Sequence, residues 1–103
     1  MQLDRNKNGS YTISEKAIGD IVSVVVNNIK NVYPAKKDKD FVTCKFNKQN
    51  ELNVKIAVRI KKGIDIVKLC SKVQNEINDN ILLMTSIEPK KIDIDIQGFE
   101  TGK

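Results

Sequence analysis

Near the C-terminal end, Ile92, Ile94 and Ile96 alternate with Asp93, Asp95 and Gln97. A period of two puts the isoleucines on one side of a strand and the polar residues on the other. Such a strand needs a layer of helices on its apolar side and water or a basic partner on the other. Pro89 opens it. Two further strands follow the same rule. Val42, Cys44 and Phe46 alternate with Thr43, Lys45 and Asn47, and after a turn at Lys48, Gln49 and Asn50 come Leu52, Val54, Ile56, Val58 and Ile60, alternating with Asn53, Lys55, Ala57, Arg59 and Lys61. This predicts a β-hairpin with one core face and one basic face, ended by Gly63.

Helical spacing appears twice. Ile18, Ile21, Val22, Val25, Ile29 and Val32 recur at three and four residues, with Asp20, Ser23, Asn27 and Lys30 on the opposite face. Val22 and Val24 to Val26 are β-branched and favour strand by propensity, but the length and the polar stripe decide for helix. Ser14 is the predicted N-cap, Glu15 complements the helix dipole, and Asn31 and Pro34 end the element. The charged residues 35–40 form a loop. A second helix is predicted over residues 65–85, with Ile66, Val67, Cys70, Val73, Ile77, Ile81 and Met84 inward and Lys68, Lys72, Glu76 and Asn80 outward.

A short strand at residues 10–13 completes the order β-α-β-β-α-β. The expected fold is α+β: a two-layer sandwich, ferredoxin-like or closely related, with both helices on one face of a four-stranded sheet. Residues 1–8 are expected to be a flexible N-terminus, and residues 9–100 a single domain.

Composition narrows the chemistry. The chain has 103 residues, 40% hydrophobic, with no run long enough to cross a bilayer and no signal-peptide layout at its start. A soluble intracellular protein is expected. Its net charge of +5 points toward anionic partners, yet the 18 basic residues are interspersed with 13 acidic ones. Histidine is absent, which removes the commonest general base and zinc ligand. Cys44 and Cys70 fall on inward faces and read as buried thiols. Neither a glycine-rich phosphate loop nor a Cys-x-x-Cys pair is present. Asp93 and Asp95 read more simply as cross-strand charge partners than as an acid–base pair. No enzyme and no cofactor are expected.

Two constellations remain. Asp4 to Glu15 fits the EF-hand calcium spacing through Asp4, Asn6, Asn8, Gly9 and Glu15, but only three residues precede it, and Arg5 and Lys7 oppose a dication. Gly9 to Glu15 also read as turn, strand and cap. The stronger candidate is the open sheet face: Thr43, Lys45, Lys55, Arg59, Lys61, Asp93, Asp95 and Gln97. An RNA-binding sheet would offer aromatic rings for stacking, and none is expected among the outward positions. That favours a protein partner or self-association over nucleic acid, with Lys45, Lys55, Arg59 and Lys61 the residues a nucleic-acid module would use.

Three segments carry a family resemblance: residues 9–14 (Gly-Ser-Tyr-Thr-Ile-Ser), Asn31-Val32-Tyr33, and a C-terminal half with Lys62-Gly63-Ile64-Asp65-Ile66, Val73-Gln74 and residues 92–98 (Ile-Asp-Ile-Asp-Ile-Gln-Gly). From Gly9 to about Phe99 the chain resembles the alkaline shock protein family of Gram-positive and related bacteria. The resemblance implies a small cytoplasmic, non-catalytic domain of envelope homeostasis or stress response. It would self-associate and act through a protein partner, including a membrane-anchored one, without inserting into the membrane.

Overall fold

The computed structural model of the chain describes residues 3–5, 11–38 and 40–101. In chain order these form strands β1 (Leu3–Arg5) and β2 (Tyr11–Ile13), helix α1 (Glu15–Asn27), strands β3 (Val32–Pro34), β4 (Val42–Phe46) and β5 (Leu52–Lys61), helix α2 (Ile66–Thr85) and strand β6 (Lys91–Glu100). The protein is an α+β sandwich of two helices and a four-stranded sheet.

β5 is the axis of the sheet. β4 runs antiparallel to its first half, β3 antiparallel to its second half, and β6 parallel along nearly its whole length. β3 and β4 lie end to end on one side of β5, because Ala57 serves both: its N–H donates to the Phe41 carbonyl, and its carbonyl accepts from the Ala35 N–H, both at 2.9 Å. β6 lies on the other side, joined to β5 through α2 as a parallel pair requires.

The core fills the space between the helices and one face of this sheet. α1 contributes Ile18, Ile21, Val22, Val25 and Val26; α2 contributes Leu69, Val73, Ile77 and Ile81; β5 contributes Leu52, Val54, Ile56, Val58 and Ile60. The predicted β4–β5 hairpin forms as expected. Its turn is held by Asn47, whose Oδ1 accepts from the Gln49 and Glu51 N–H groups, and by Asn50 at φ 62°. Gly63, at φ 88°, turns the chain out of β5. The first helix starts at the predicted cap, and the second is capped by Asp65. Ser14 Oγ accepts from the Ala17 N–H at 3.0 Å, and Asp65 Oδ1 from the Lys68 N–H at 3.2 Å. Replacing Ser14 with alanine is expected to cost about 1 kcal/mol in chemical denaturation, with the core packing unchanged.

Several expectations are corrected. Tyr11–Ile13 is a strand, but it pairs with Leu3–Arg5 in a separate two-stranded hairpin and not with the main sheet. The fourth strand is instead β3, where helical spacing had been read as far as Val32. The helix stops at Asn27 with Asn28 as its cap, and Asn31, at φ 74° in the left-handed region, then turns the chain back along β5. There the Asn31 carbonyl accepts from the Lys61 N–H at 3.0 Å. Pro34 is tolerated in β3 because its position in the ladder turns its nitrogen to the free edge.

The inward stripe of α2 centres on Leu69, Val73, Ile77 and Ile81, so Val67 is 75% exposed and Ile66 and Met84 are exposed at the helix ends. Ser23 is buried in spite of its place on the polar stripe, since α1 packs against α2, β3 and β4 together and leaves only a narrow wet side. No helix among the described residues is long and apolar enough to cross a membrane.

Candidate functional site

The face of the sheet turned away from the helices is the candidate site, and strand register sets its layout. Across β4, β5 and β6 run two rows: Lys45, Asn53 and Lys91, then Thr43, Lys55 and Asp93. Ala57 stands beside Asp95, shielded by its neighbours. Across β3, β5 and β6 lies the row Tyr33, Arg59 and Gly98, and Lys61 faces Glu100 at the end of the strands. Thr43, Lys45, Lys55, Arg59, Asp93 and Gln97 are exposed, while Lys61 and Asp95 are half-buried. The structure therefore brings all eight predicted residues onto one surface.

The charges on that surface are segregated. Lys45, Lys55, Arg59 and Lys61 occupy β4 and β5, whereas Asp93, Asp95 and Glu100 occupy β6, where Lys91 at the start of the strand is the one cation on this face. Arg59 Nε meets Glu100 Oε2 at 2.6 Å, and Lys91 Nζ lies 3.6 Å from Asp93 Oδ2. The Gln97 side-chain amide donates to Asp95 Oδ2 at 3.1 Å. These are solvent-exposed contacts, each worth little to stability. Their effect is to line up the acidic edge on β6.

Two residues of this face escaped the sequence reading. Tyr33 points outward on β3 beside Arg59 and is 39% exposed, so an outward aromatic exists after all. The left-handed Asn31 followed by a Val-Tyr-Pro alternation is the signal that could have found it. Glu100 belongs to the parity of the isoleucines, yet it lies on the open face. A β-bulge explains this: Val58 pairs with Ile96 but Arg59 pairs with Gly98, leaving Gln97 as an extra residue. The bulge exchanges the two faces beyond it and delivers the Glu100 carboxylate to Arg59. The break of alternation at Gln97-Gly98 was its only trace in the sequence.

The calcium-spaced residues divide. Asn6 and Asn8, with Gly9, lie outside the described residues. Asp4 stands in β1 opposite Thr12, and the Glu15 carboxylate accepts from the Phe46 N–H of β4 at 2.9 Å. Glu15 thus ties the start of α1 to the edge of β4. Among the described residues no group of three or more cysteine, aspartate or glutamate side chains is placed to hold a metal.

Both cysteines are free. Burial, with the Glu15 carboxylate adding to it, pushes the Cys44 thiol up to about 12. Burial also raises Cys70. Raised thiols are poor nucleophiles and poor metal ligands at neutral pH. A groove of about 360 Å³ runs between the start of α1 and β4, lined by Glu15, Lys16, Gly19, Val42, Thr43 and Cys44. The only thiol in it is the protonated Cys44.

Comparison of the chain with protein-family models, with curated proteins and with solved structures returned no match.

Proposed function

We propose that this chain is a non-catalytic interaction domain that works through its open sheet face, of the kind its resemblance to the alkaline shock protein family implies. The observation that supports this most is the segregated charge of that face. Four cations on β4 and β5 lie beside three carboxylates and the single cation Lys91 on β6, on a face turned away from both described helices. Such a surface steers and orients a partner whose charges are arranged in reverse. The envelope setting and a membrane-anchored partner belong to this reading through the resemblance alone.

A charge-reversed variant, K45E/K55E/K61E, tests the proposal. Immobilised wild-type chain is expected to retain a protein partner from the native cell that the variant retains at least about tenfold less well. K55E and K61E set like charges opposite Asp93 and Glu100, so a modest fall in the unfolding midpoint is expected and retention is compared at a temperature where both chains are folded. Equal retention by both chains would remove the open face from the function.

Tyr33 beside Arg59 favours one rival, a nucleic-acid module, since an aromatic ring next to a guanidinium is a stacking platform. Salt separates the two. Retention on RNA or DNA that falls steeply between low and moderate salt belongs to the rival, and negligible retention at low salt rules it out.

A further inference from the structure

The geometry points to a second docking surface, the groove between α1 and the free edge of β4. There an extended segment of a partner protein, apolar on one side and acidic on the other, adds to the sheet beside Val42 and Cys44. This deepens the interaction reading above and rests on it for the class of partner, but it uses an edge of the sheet where that reading uses the face.

Ladder parity comes first. The Ala57 N–H donates to the Phe41 carbonyl and the Asn47 N–H to the Glu51 carbonyl, both at 2.9 Å. Bonded and non-bonded pairs alternate along an antiparallel ladder, so Thr43 and Lys45 bond to β5 as well. Val42, Cys44 and Phe46 turn their backbone groups the other way. The Phe46 N–H agrees, since it donates to the Glu15 carboxylate at 2.9 Å. Among the described residues β4 pairs with β5 alone. The N–H and C=O groups of Val42 and Cys44 are therefore a template for another strand.

The other edges offer less. β3 has three residues, one of them Pro34. On β6 the outward Ile92 carbonyl already accepts from the Gln74 side-chain amide at 3.0 Å.

There is room beside the β4 template. The groove of about 360 Å³ has Val42, Thr43 and Cys44 on one wall and Glu15, Lys16, Gly19 and Asp20 on the other. Gly19 is a notch in the helical wall. A β-carbon there would meet nothing within 4 Å, so packing inside the chain does not call for glycine. Glycine inside a helix also weakens it relative to alanine. What the missing side chain provides is depth. An apolar side chain of an added strand seats in it against Val42, which is only half-buried.

Charge selects the occupant. The side of an added strand that faces α1 meets the carboxylates of Glu15 and Asp20, with Lys16 beside them. Acidic residues are disfavoured there, so the apolar side of the segment belongs against Gly19 and Val42. The opposite side continues the open face next to Thr43 and Lys45, with Lys55 on the following strand. Opposite charges on neighbouring strands attract, and acidic residues suit that side. β6 meets β5 in the same manner: Asp93 stands beside Lys55, while Ile92, Ile94 and Ile96 pack on the core.

The test is a fluorescence-anisotropy titration of the full chain against a labelled peptide, Thr-Asp-Val-Glu-Val-Asp-Thr, and against a counterpart with lysine in place of each acid. The acidic peptide is expected to bind at least about tenfold more tightly. G19L fills the notch and should weaken the acidic peptide by a similar factor. Its unfolding midpoint should hold or rise, because leucine is the better helix former and faces open space. N-methylation of one alternate set of peptide residues should abolish binding, and of the other set should be tolerated, since main-chain pairing has that period.

Several results would overturn the assignment. One is no binding of the acidic peptide. Another is undiminished binding by G19L, or tolerance of both methylated sets. Self-association of the chain that G19L abolishes would make a second copy the occupant. K45E/K55E/K61E alters the face beside this edge and is expected to weaken the acidic peptide, whereas G19L leaves the face intact. Binding lost in the first variant and kept in the second would move the peptide to the open face. That result overturns the edge assignment and leaves the interaction reading standing.

Discussion

Truncating Ile56 to alanine is expected to lower the unfolding free energy by about 2–5 kcal/mol, a large share of the roughly 5–15 kcal/mol that holds a domain of this size together. Ile56 has no exposed surface and sits in the middle of β5, between β4 and β6 and under both helices. Its removal leaves a cavity between the flanking strands β4 and β6, which neighbours held in the ladder close only in part. Ile94 is its direct partner on β6 and belongs to the most conspicuous pattern in the chain, yet Ile94→Ala is expected to cost less, about 2 kcal/mol or under. Ile94 keeps part of its surface in water, so less transfer free energy is lost and solvent reaches the vacated space. Urea denaturation of both variants decides the matter. Equal losses would mean that the edge of β6 is covered as completely as the centre of the sheet.

The thiols should differ even more sharply. At about pH 8, Cys44 in the native protein is expected to react with a disulfide reagent roughly a thousandfold more slowly than an unperturbed cysteine, because each unit of raised pKa removes a factor of ten in thiolate. Its value rises from an ordinary 9.0 to about 12 through burial first and the Glu15 charge second. Cys70 is half-buried and should react first. Denaturant should bring the two to similar rates. Comparable native rates would show that β4 opens readily beside α1.

The same shift sets a pH dependence. Folding makes Cys44 hold its proton more tightly, so its contribution to stability is fully present below about pH 9 and is lost progressively as pH rises toward 12. Replacing Cys44 with serine would remove that dependence. Glu15 has a further link to this region, since its bond to the Phe46 N–H holds the start of α1 against the same strand.

Local pattern was enough for much of the architecture. The β4–β5 hairpin, the cap at Ser14, the turn at Gly63 and the β-branched first helix were all legible, because each depends on residues within a few positions of one another. The open face was legible for the same reason. A period of two assigns Lys45, Lys55, Arg59, Asp93 and Asp95 to one side whatever their neighbours prove to be.

Pairing was another matter. Nothing local distinguishes a strand at residues 11–13 that joins the main sheet from one that pairs with Leu3–Arg5, since the choice rests on partners far away in space. Val32 satisfied the helical period and still became strand, once the left-handed Asn31 turned the chain and Lys61 offered its N–H. The bulge at Gln97 moved Glu100 across the sheet by a single residue of register.

The sequence by itself determined which residues are apolar together and which are charged together, because side-chain periodicity follows from backbone geometry alone. Only the tertiary structure decided that β5 is the centre and β6 an open edge, that Tyr33 stands beside Arg59, and that the conspicuous isoleucines are the half-covered margin of a core built around β5. Those outcomes depend on long-range hydrogen-bond pairing and on what lies beyond each strand, and no local period encodes either.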